Sequence, residues 1–269
     1  MPVTDLDLLS RAARKAGEIA AGHWRNSPEV WDKPGHQGPV TVADLEIDAA
    51  LRDMLSAARP GYGWLSEETE DSGARLEARR VFIVDPLDGT RAFIKGERSF
   101  AHVLAVAEEG EVIAAAVFLP MLDRMFTAIR GGGAALNGEP IRHSGRERLE
   151  GASLLAARPA LEPRFWTEGP PQVGLHSRPS LAYRQCLVAQ GRFDAMLTLR
   201  DSWHWDLAAG ALILQEAGAT VTDRSGRPLR FNTPQPHSPG ILAAPPALHA
   251  ELLARLTEAA PLSLPRSMV

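Results

Sequence analysis

The run Val81-Phe82-Ile83-Val84, followed by Asp85-Pro86-Leu87-Asp88-Gly89-Thr90, constrains this chain more than any other stretch. A short continuous apolar run reads as a strand covered on both faces, because a half-exposed strand would alternate. That buried strand delivers two carboxylates, three residues apart, at its C-terminal end. Pro86 fixes the backbone between them, so Asp85, the Leu87 carbonyl and Asp88 can converge on one point. Hard cations such as Mg²⁺ take oxygen donors of this kind. Gly89 allows close approach of a ligand, and Thr90 offers a hydroxyl and backbone N–H groups at a helix start, where phosphate binds well. A strand-ending turn built on Asp and Gly explains the same residues, and the hexapeptide alone leaves both readings open.

Three other acidic sites sit at the edges of apolar elements. Glu67-Glu68-Thr69-Glu70-Asp71 follows Trp64-Leu65. Such charge runs are ordinarily solvated surface, and a functional reading needs only one acid to turn inward, with Glu67 the best placed. Asp206 opens a strongly apolar helix after Trp203-His204-Trp205, where an Asp also serves the free N–H groups and the dipole. Asp44 stands three residues after Thr41, which is capping-box spacing. Each has a purely structural explanation. Their joint occurrence points to an oxygen-only cage for two or three Mg²⁺ ions.

The rest of the chain supplies a scaffold for such a cage. Leu6, Leu9, Ala13, Ala16 and Ala20 recur at helical spacing, and Gly22 with Asn26-Ser27-Pro28 ends that helix. Residues 32–39 read as a mobile, turn-rich loop. A second helix carries Ile47, Leu51, Met54 and Leu55 on one face and is broken by Pro60-Gly61. Phe100–Ala107 and Val112–Leu119 flank Glu108-Glu109-Gly110-Glu111 as an antiparallel hairpin. Later helices are expected over 181–190, 206–217 and 247–256, with Gly218 as a C-cap glycine. The polar stretch 138–151 divides the chain into an N-terminal α+β half, 1–138, holding an antiparallel sheet and most ligands, and a C-terminal α/β half, 139–269. At 269 residues the two form one compact catalytic unit. Antiparallel strands first and alternating elements later predict a layered α/β sandwich.

Composition excludes several alternatives. The longest apolar run, Val112 to Leu122, contains Pro120 and is shorter than the ~20 residues of a membrane span. Asp5 and Asp7 stand where a secretory leader would carry basic residues. A single cysteine, Cys186, makes no internal disulfide and is consistent with a reducing, cytoplasmic setting. The net charge of −4, without any Lys/Arg-rich run, argues against a nucleic-acid polymer as partner. A small phosphorylated metabolite remains compatible, since a bound divalent ion supplies positive charge locally. No His-Glu-x-x-His, thiolate zinc set, P-loop or Gly-x-Ser-x-Gly elbow is present, and Leu136 breaks a dinucleotide fingerprint after Gly131 and Gly133. His102, His143 and His204 lack ligand spacing and read as packing or surface residues, and the Trp203-His204-Trp205 cluster reads as core rather than a stacking platform.

Asp85-Pro-Leu-Asp-Gly-Thr90, together with Pro39-Val-Thr-x-Ala-Asp44, Ser66-Glu-Glu68 and Trp205-Asp206-x-Ala-Ala-Gly210, resembles the inositol monophosphatase family of magnesium-dependent, lithium-sensitive phosphatases. The likeness extends through Gly131–Asn137 and Glu216-Ala-Gly218. It implies an αβαβα sandwich of the sugar-phosphatase type, usually a homodimer. It further implies that Glu67, Asp85 and the Leu87 carbonyl hold one ion, and that Asp85, Asp88 and Asp206 hold a second. Thr90 and Asp44 match the pair that orients the attacking water, and Glu67 also serves a weaker third ion. Asp88, Gly89, Thr90 and Asp206 would meet the substrate. Inositol-specific members carry a glutamate seven residues before the helix-opening aspartate, where this chain has Leu199, with Arg192 and Arg200 nearby. Residues 64–68 and 90–96 look closer to bacterial 3′(2′),5′-bisphosphate nucleotidases. The expected reaction is therefore adenosine 3′,5′-bisphosphate to AMP and phosphate. Inositol-1-phosphate hydrolysis is the alternative, and histidinol phosphate a third substrate. A haloacid-dehalogenase-like nucleophile is disfavoured by the three-residue Asp85–Asp88 spacing.

Overall fold

The computed structural model describes residues 3–26, 28–33 and 38–258. The opening helix α1 (Asp5–His23) starts at Thr4, whose hydroxyl oxygen accepts the Asp7 N–H at 3.1 Å. Its buried stripe is Leu8, Leu9, Ala12, Ala13, Ala16 and Ala20, so Leu8 rather than Leu6 completes the apolar face. Residues 34–37 and Ser27, within the expected loop and helix stop, lie outside the described residues. The flanks of that loop are ordered as a hairpin of β1 (Val30–Asp32) and β2 (Pro39–Thr41). Helix α2 (Val42–Ala58) follows directly.

A seven-stranded sheet then forms in chain order from β3 (Gly63–Ser66), β4 (Arg80–Asp88), β5 (Ala101–Glu108), β6 (Glu111–Leu119), β7 (Arg124–Ile129), β8 (Gly133–Leu136) and β9 (Glu139–Pro140). Every neighbouring pair is antiparallel except β3 and β4, which run parallel. The predicted hairpin is β5–β6, in which Glu108 pairs with Glu111. Its turn residues Glu109 (φ 52°) and Gly110 (φ 85°) are both left-handed, the backbone that matches strand twist in a two-residue turn. The short helix α3 (Thr90–Ile94) leaves the end of β4.

Beyond residue 140 the chain builds a second, mixed sheet. Its elements are β10 (Ser153–Ala156), β11 (Gly174–His176), α4 (Leu181–Ala189), β12 (Ala195–Thr198), β13 (Ser202–Trp203), α5 (His204–Glu216), β14 (Thr220–Thr222), β15 (His237–Ser238), β16 (Ile241–Ala244) and α6 (Pro246–Arg255). Five of the strands run β11-β10-β12-β16-β14 across it, and β13 pairs with β15 separately. Gly218, at φ 86°, ends α5 as expected and donates its N–H to the Gln215 carbonyl at 2.9 Å.

Three apolar clusters define the layers. Helices α1 and α2 pack one face of the large sheet through Leu9, Ile47, Phe82 and Leu104. The opposite face, through Ile83, Val103 and Val117, meets α4 and α5 and, beyond them, one face of the small sheet. The outer face of the small sheet buries Leu154, Leu197 and Leu242 against Leu248 and Leu252 of α6. The order is α, β, α, β, α, the sandwich the sequence predicts. Helix α5 carries almost no polar face because both its sides are covered, with Leu207 through Leu214 all buried.

Candidate active site

The site forms where β4 leaves the large sheet. Asp85 pairs with Val103 and Asp88 with Ala101, so Pro86 and Leu87 together oppose His102 alone. That is a β-bulge, and it re-aims the side chains around it. Within it, the Leu87 N–H donates to Asp85 Oδ1 at 3.0 Å. Gly89 follows at φ 100°, and a Cβ there would sit 3.4 Å from the Ser99 carbonyl oxygen and 3.5 Å from Ser180 Cβ. Only glycine takes that turn without strain.

Asp85, Asp88 and Asp206 each present a carboxylate oxygen, and these atoms lie within 4.8 Å of one another. Asp206 stands in the first turn of α5. Asp88 is held from the far side of the site: Ser180 Oγ donates to it at 2.7 Å, the Ala182 N–H at 2.7 Å and the Leu181 N–H at 3.2 Å. The same carboxylate thus caps α4 and joins the two sheets' layers. Gln185 of α4 donates to the Asp206 carbonyl at 2.7 Å. Their helices cross at Gly210, where a Cβ would fall 2.5 Å from Gln185 atoms.

The acidic run at the end of β3 turns inward at two positions rather than one. Glu67 lines the site cavity, and Glu68 is more buried, with side-chain exposures of 26% and 6%. Lys33 of the first hairpin donates to both, at 2.7 and 2.6 Å. Burial opposes the Lys33 charge, yet the two glutamates outweigh it and hold its pKa above the ordinary value. Asp48 accepts hydrogen bonds from Ser66 Oγ at 2.5 Å and Thr69 Oγ1 at 2.6 Å, pinning this segment from beneath.

Asp44 does what its capping-box spacing predicts, accepting from the Thr41 N–H at 2.9 Å and the Thr41 hydroxyl at 2.6 Å through Oδ2. Its other oxygen lies 3.2 Å from Thr90 Oγ1, which is also 3.2 Å from the Leu87 carbonyl. The cap and the Thr90 contact coexist on one carboxylate.

Burial raises the pKa of Asp85, Asp88 and Asp206, and of Asp44 and Glu68 beside them. For Asp85 the charges of Glu67, Asp88 and Asp206 add to it; for Asp206, those of Asp88 and Glu67. Asp88 and Asp44 are raised too, although hydrogen bonds from Ser180, Ala182 and Leu181, and from Thr41, work the other way. Glu68 is pushed up to about 7 by burial and then by Glu67, against Lys33. A cluster of mutually repelling, all-oxygen donors fits a hard divalent cation, whose charge reverses this cost.

The acids open into a cavity of about 410 Å³ lined also by Leu87, Gly89, Thr90, Arg184, Arg200 and Asp201. Trp203 and Trp205 stack at 4.9 Å between centroids and form a half-buried wall of it, in contrast to the core role expected for them. His204 between them is buried, as expected. Leu199 is buried under α6, so the side chain at that position does not reach the cavity at all. Sequence reasoning overlooked Lys33, Asp48, Ser180, Arg184 and Asp201. Only the Ser180 position carried a local signal, as an N-cap whose hydroxyl accepts from the Tyr183 N–H.

Alternating α and β layers with a cluster of three carboxylates at their seam suit a metal-dependent phosphatase, the class to which the family match assigns the chain. Residues 3–261 match the inositol monophosphatase family, and the chain belongs to that family. It is 36% identical over 233 residues to an inositol-1-monophosphatase of Rhizobium meliloti, spanning 82% of this chain and 86% of that one. It is 34% identical over 233 residues to the Nus factor SuhB of Escherichia coli K12, spanning 82% and 85%. Among solved structures, the extragenic suppressor protein SuhB of Bartonella henselae superposes with a TM-score of 0.80 at 30% identity, covering 94% of this chain and 98% of that one. An inositol monophosphatase (IMPase) of Thermotoga maritima gives 0.80 at 30%, covering 93% and 95%. These relatives bear inositol monophosphatase and SuhB names and not that of a bisphosphate nucleotidase, which favours the alternative substrate over the one expected first.

Proposed function

We propose that this chain is a Mg²⁺-dependent phosphomonoesterase acting on an inositol monophosphate, with a water in the cavity as nucleophile. The observation that carries the reading is the convergence of Asp85, Asp88 and Asp206 within 4.8 Å at one end of the cavity. Asp85, Asp88 and Asp206, with Glu67 and the Leu87 carbonyl, would hold two or three ions. When bound, such ions neutralise the phosphoryl and leaving oxygens and lower the pKa of water. Thr90 donates its proton to Asp44 Oδ1, which leaves the Thr90 oxygen free to accept from the attacking water and aim it. Burial makes Asp44 a better proton acceptor than an exposed carboxylate. Gly89 and Thr90 line the cavity where the phosphate oxygens would lie.

Asp201 supports a polyol leaving group, because it puts an acidic residue on the cavity wall, where Leu199 is absent. A second reading, 3′(2′),5′-bisphosphate hydrolysis, draws on Arg184 and Arg200. Both line the cavity, neither forms an ion pair among the described residues, and a second phosphate would suit them. Lithium inhibition, a homodimer and a cytoplasmic location belong to the same proposal. No helix among the described residues is long and apolar enough to cross a membrane. The relatives named Nus factor SuhB argue against carrying forward the exclusion of nucleic-acid partners.

The test compares kcat/KM for inositol-1-phosphate, adenosine 3′,5′-bisphosphate and histidinol phosphate with Mg²⁺ and with chelator. Inositol-1-phosphate is expected to be the best of the three. A preference for the bisphosphate selects the second reading, and no Mg²⁺-dependent phosphate release from any of them refutes the phosphatase.

A further inference from the structure

His102 is completely buried at the second position of β5, in a strand whose other residues from Ala101 to Ala107 are all apolar. It is also the single residue that faces the two-residue bulge of β4. Its Nδ1 lies 2.6 Å from the Pro86 carbonyl oxygen. A carbonyl only accepts, so Nδ1 carries the proton; burial pulls the ring's pKa down to about 4, which leaves it neutral with Nε2 bare. Nε2 is buried without a hydrogen-bond partner among the described residues. A leucine or phenylalanine would fill this place in the sheet with no bare Nε2, but it would take the donor away from the Pro86 carbonyl, so that hydrogen bond rather than packing accounts for an imidazole here.

The Pro86 carbonyl belongs to the peptide that joins Pro86 to Leu87. Its orientation sets where the Leu87 N–H meets Asp85 Oδ1, at 3.0 Å, and which way the next peptide presents the Leu87 carbonyl. We propose that His102 is a positioning residue for the cation cage: its Nδ1–H clamps the Pro86 carbonyl and holds the bulge so that Asp85, the Leu87 carbonyl and Asp88 face one point. This role rests on the reading that those groups bind divalent ions. It extends that reading to a side chain outside the cavity, whose influence passes through the backbone of a proline.

The test measures Mn²⁺ affinity by calorimetry on the full chain without substrate, in the wild type and in His102→Asn, His102→Gln and His102→Leu. Asparagine places an amide N–H where Nδ1 stands, two bonds from Cβ; glutamine places it one atom further out, where it overshoots Pro86. The Leu and Gln variants are expected to lose about 10- to 100-fold in affinity, the range for removing a group that orients a metal ligand. The Asn variant is expected to stay within about threefold of wild type on the same scale. A residue that merely filled space would lower Tm in the variants without separating Asn from Gln. Equal affinities for Asn and Gln, or wild-type affinity in a folded Leu variant, overturn the proposal. If the Leu variant does not fold, the Asn/Gln pair decides. A wild type that binds no Mn²⁺ removes the cage itself, an outcome distinct from a wild type that binds while the variants match it.

Discussion

Asp88→Asn separates the structural work of this residue from its charge. In the wild type, one carboxylate oxygen takes the Ser180 hydroxyl and the Ala182 N–H, both at 2.7 Å, and the other takes the Leu181 N–H at 3.2 Å. An asparagine that keeps its oxygen at the first position preserves the two short bonds and loses the long one, a cost of about 1 kcal/mol. Removing a negative charge from beside Glu67, Asp85 and Asp206 works the other way. Metal-free stability should therefore stay within about 1 kcal/mol of wild type. The response to Mg²⁺ should not. At a concentration 100 times Kd, a bound ion stabilises the fold by about 2.7 kcal/mol, roughly 5–10 °C in Tm for a chain of this size. A hundredfold loss of affinity leaves about 0.4 kcal/mol, near 1 °C. Thermal scans with and without Mg²⁺, alongside phosphate release, measure both halves, and turnover should fall by several orders of magnitude. A wild-type Mg²⁺ shift, or wild-type turnover, would refute the assignment of Asp88 to the cage.

Asp48→Ala removes the shared acceptor of Ser66 and Thr69, so urea unfolding should show a loss of about 3 kcal/mol and kcat should drop roughly tenfold or more as Glu67 loses its support; an unchanged kcat counts against that role. Gly210→Ala drives a methyl into Gln185 and should cost about 1–3 kcal/mol in the same assay, with wild-type stability showing that the α4–α5 crossing is looser than described. Burial pulls the His204 pKa down to about 3, with the charges of Arg75 and His237 adding to it. Its folded value lies below its unfolded one. The stability it contributes is therefore present above pH 6.5 and is lost as pH falls toward the folded value, at about 1.4 kcal/mol per pH unit. His204→Phe, a ring exchange beside Phe231, should lose about 2–3 kcal/mol less than wild type between pH 6.5 and 4.5, and equal losses disprove the linkage.

Much of the molecule is written locally. The apolar run 81–84, the stripe on α1, the Glu109-Gly110 turn and the Gly218 cap all depend on neighbours within a few residues, and periodicity and turn chemistry report such neighbours directly. The Asp85–Thr90 hexapeptide and the Thr41–Asp44 box were legible for the same reason. What the chain order left open is every contact made across long separations. Asp88 meets Ser180 across 92 positions, and Lys33 meets Glu67 across 34. No sequence period announces such a pair, because packing of helices against sheets brings it about. Tertiary structure also decided which acids faced inward. Glu68 turned in with Glu67 because Lys33 and a buried floor offered it a partner, whereas an isolated charge run belongs in water. Leu199 and Asp201 differ by two positions, yet one lies beneath α6 and the other on the cavity wall. That difference follows from how the chain leaves β12, a matter of backbone path that residue identity does not reveal.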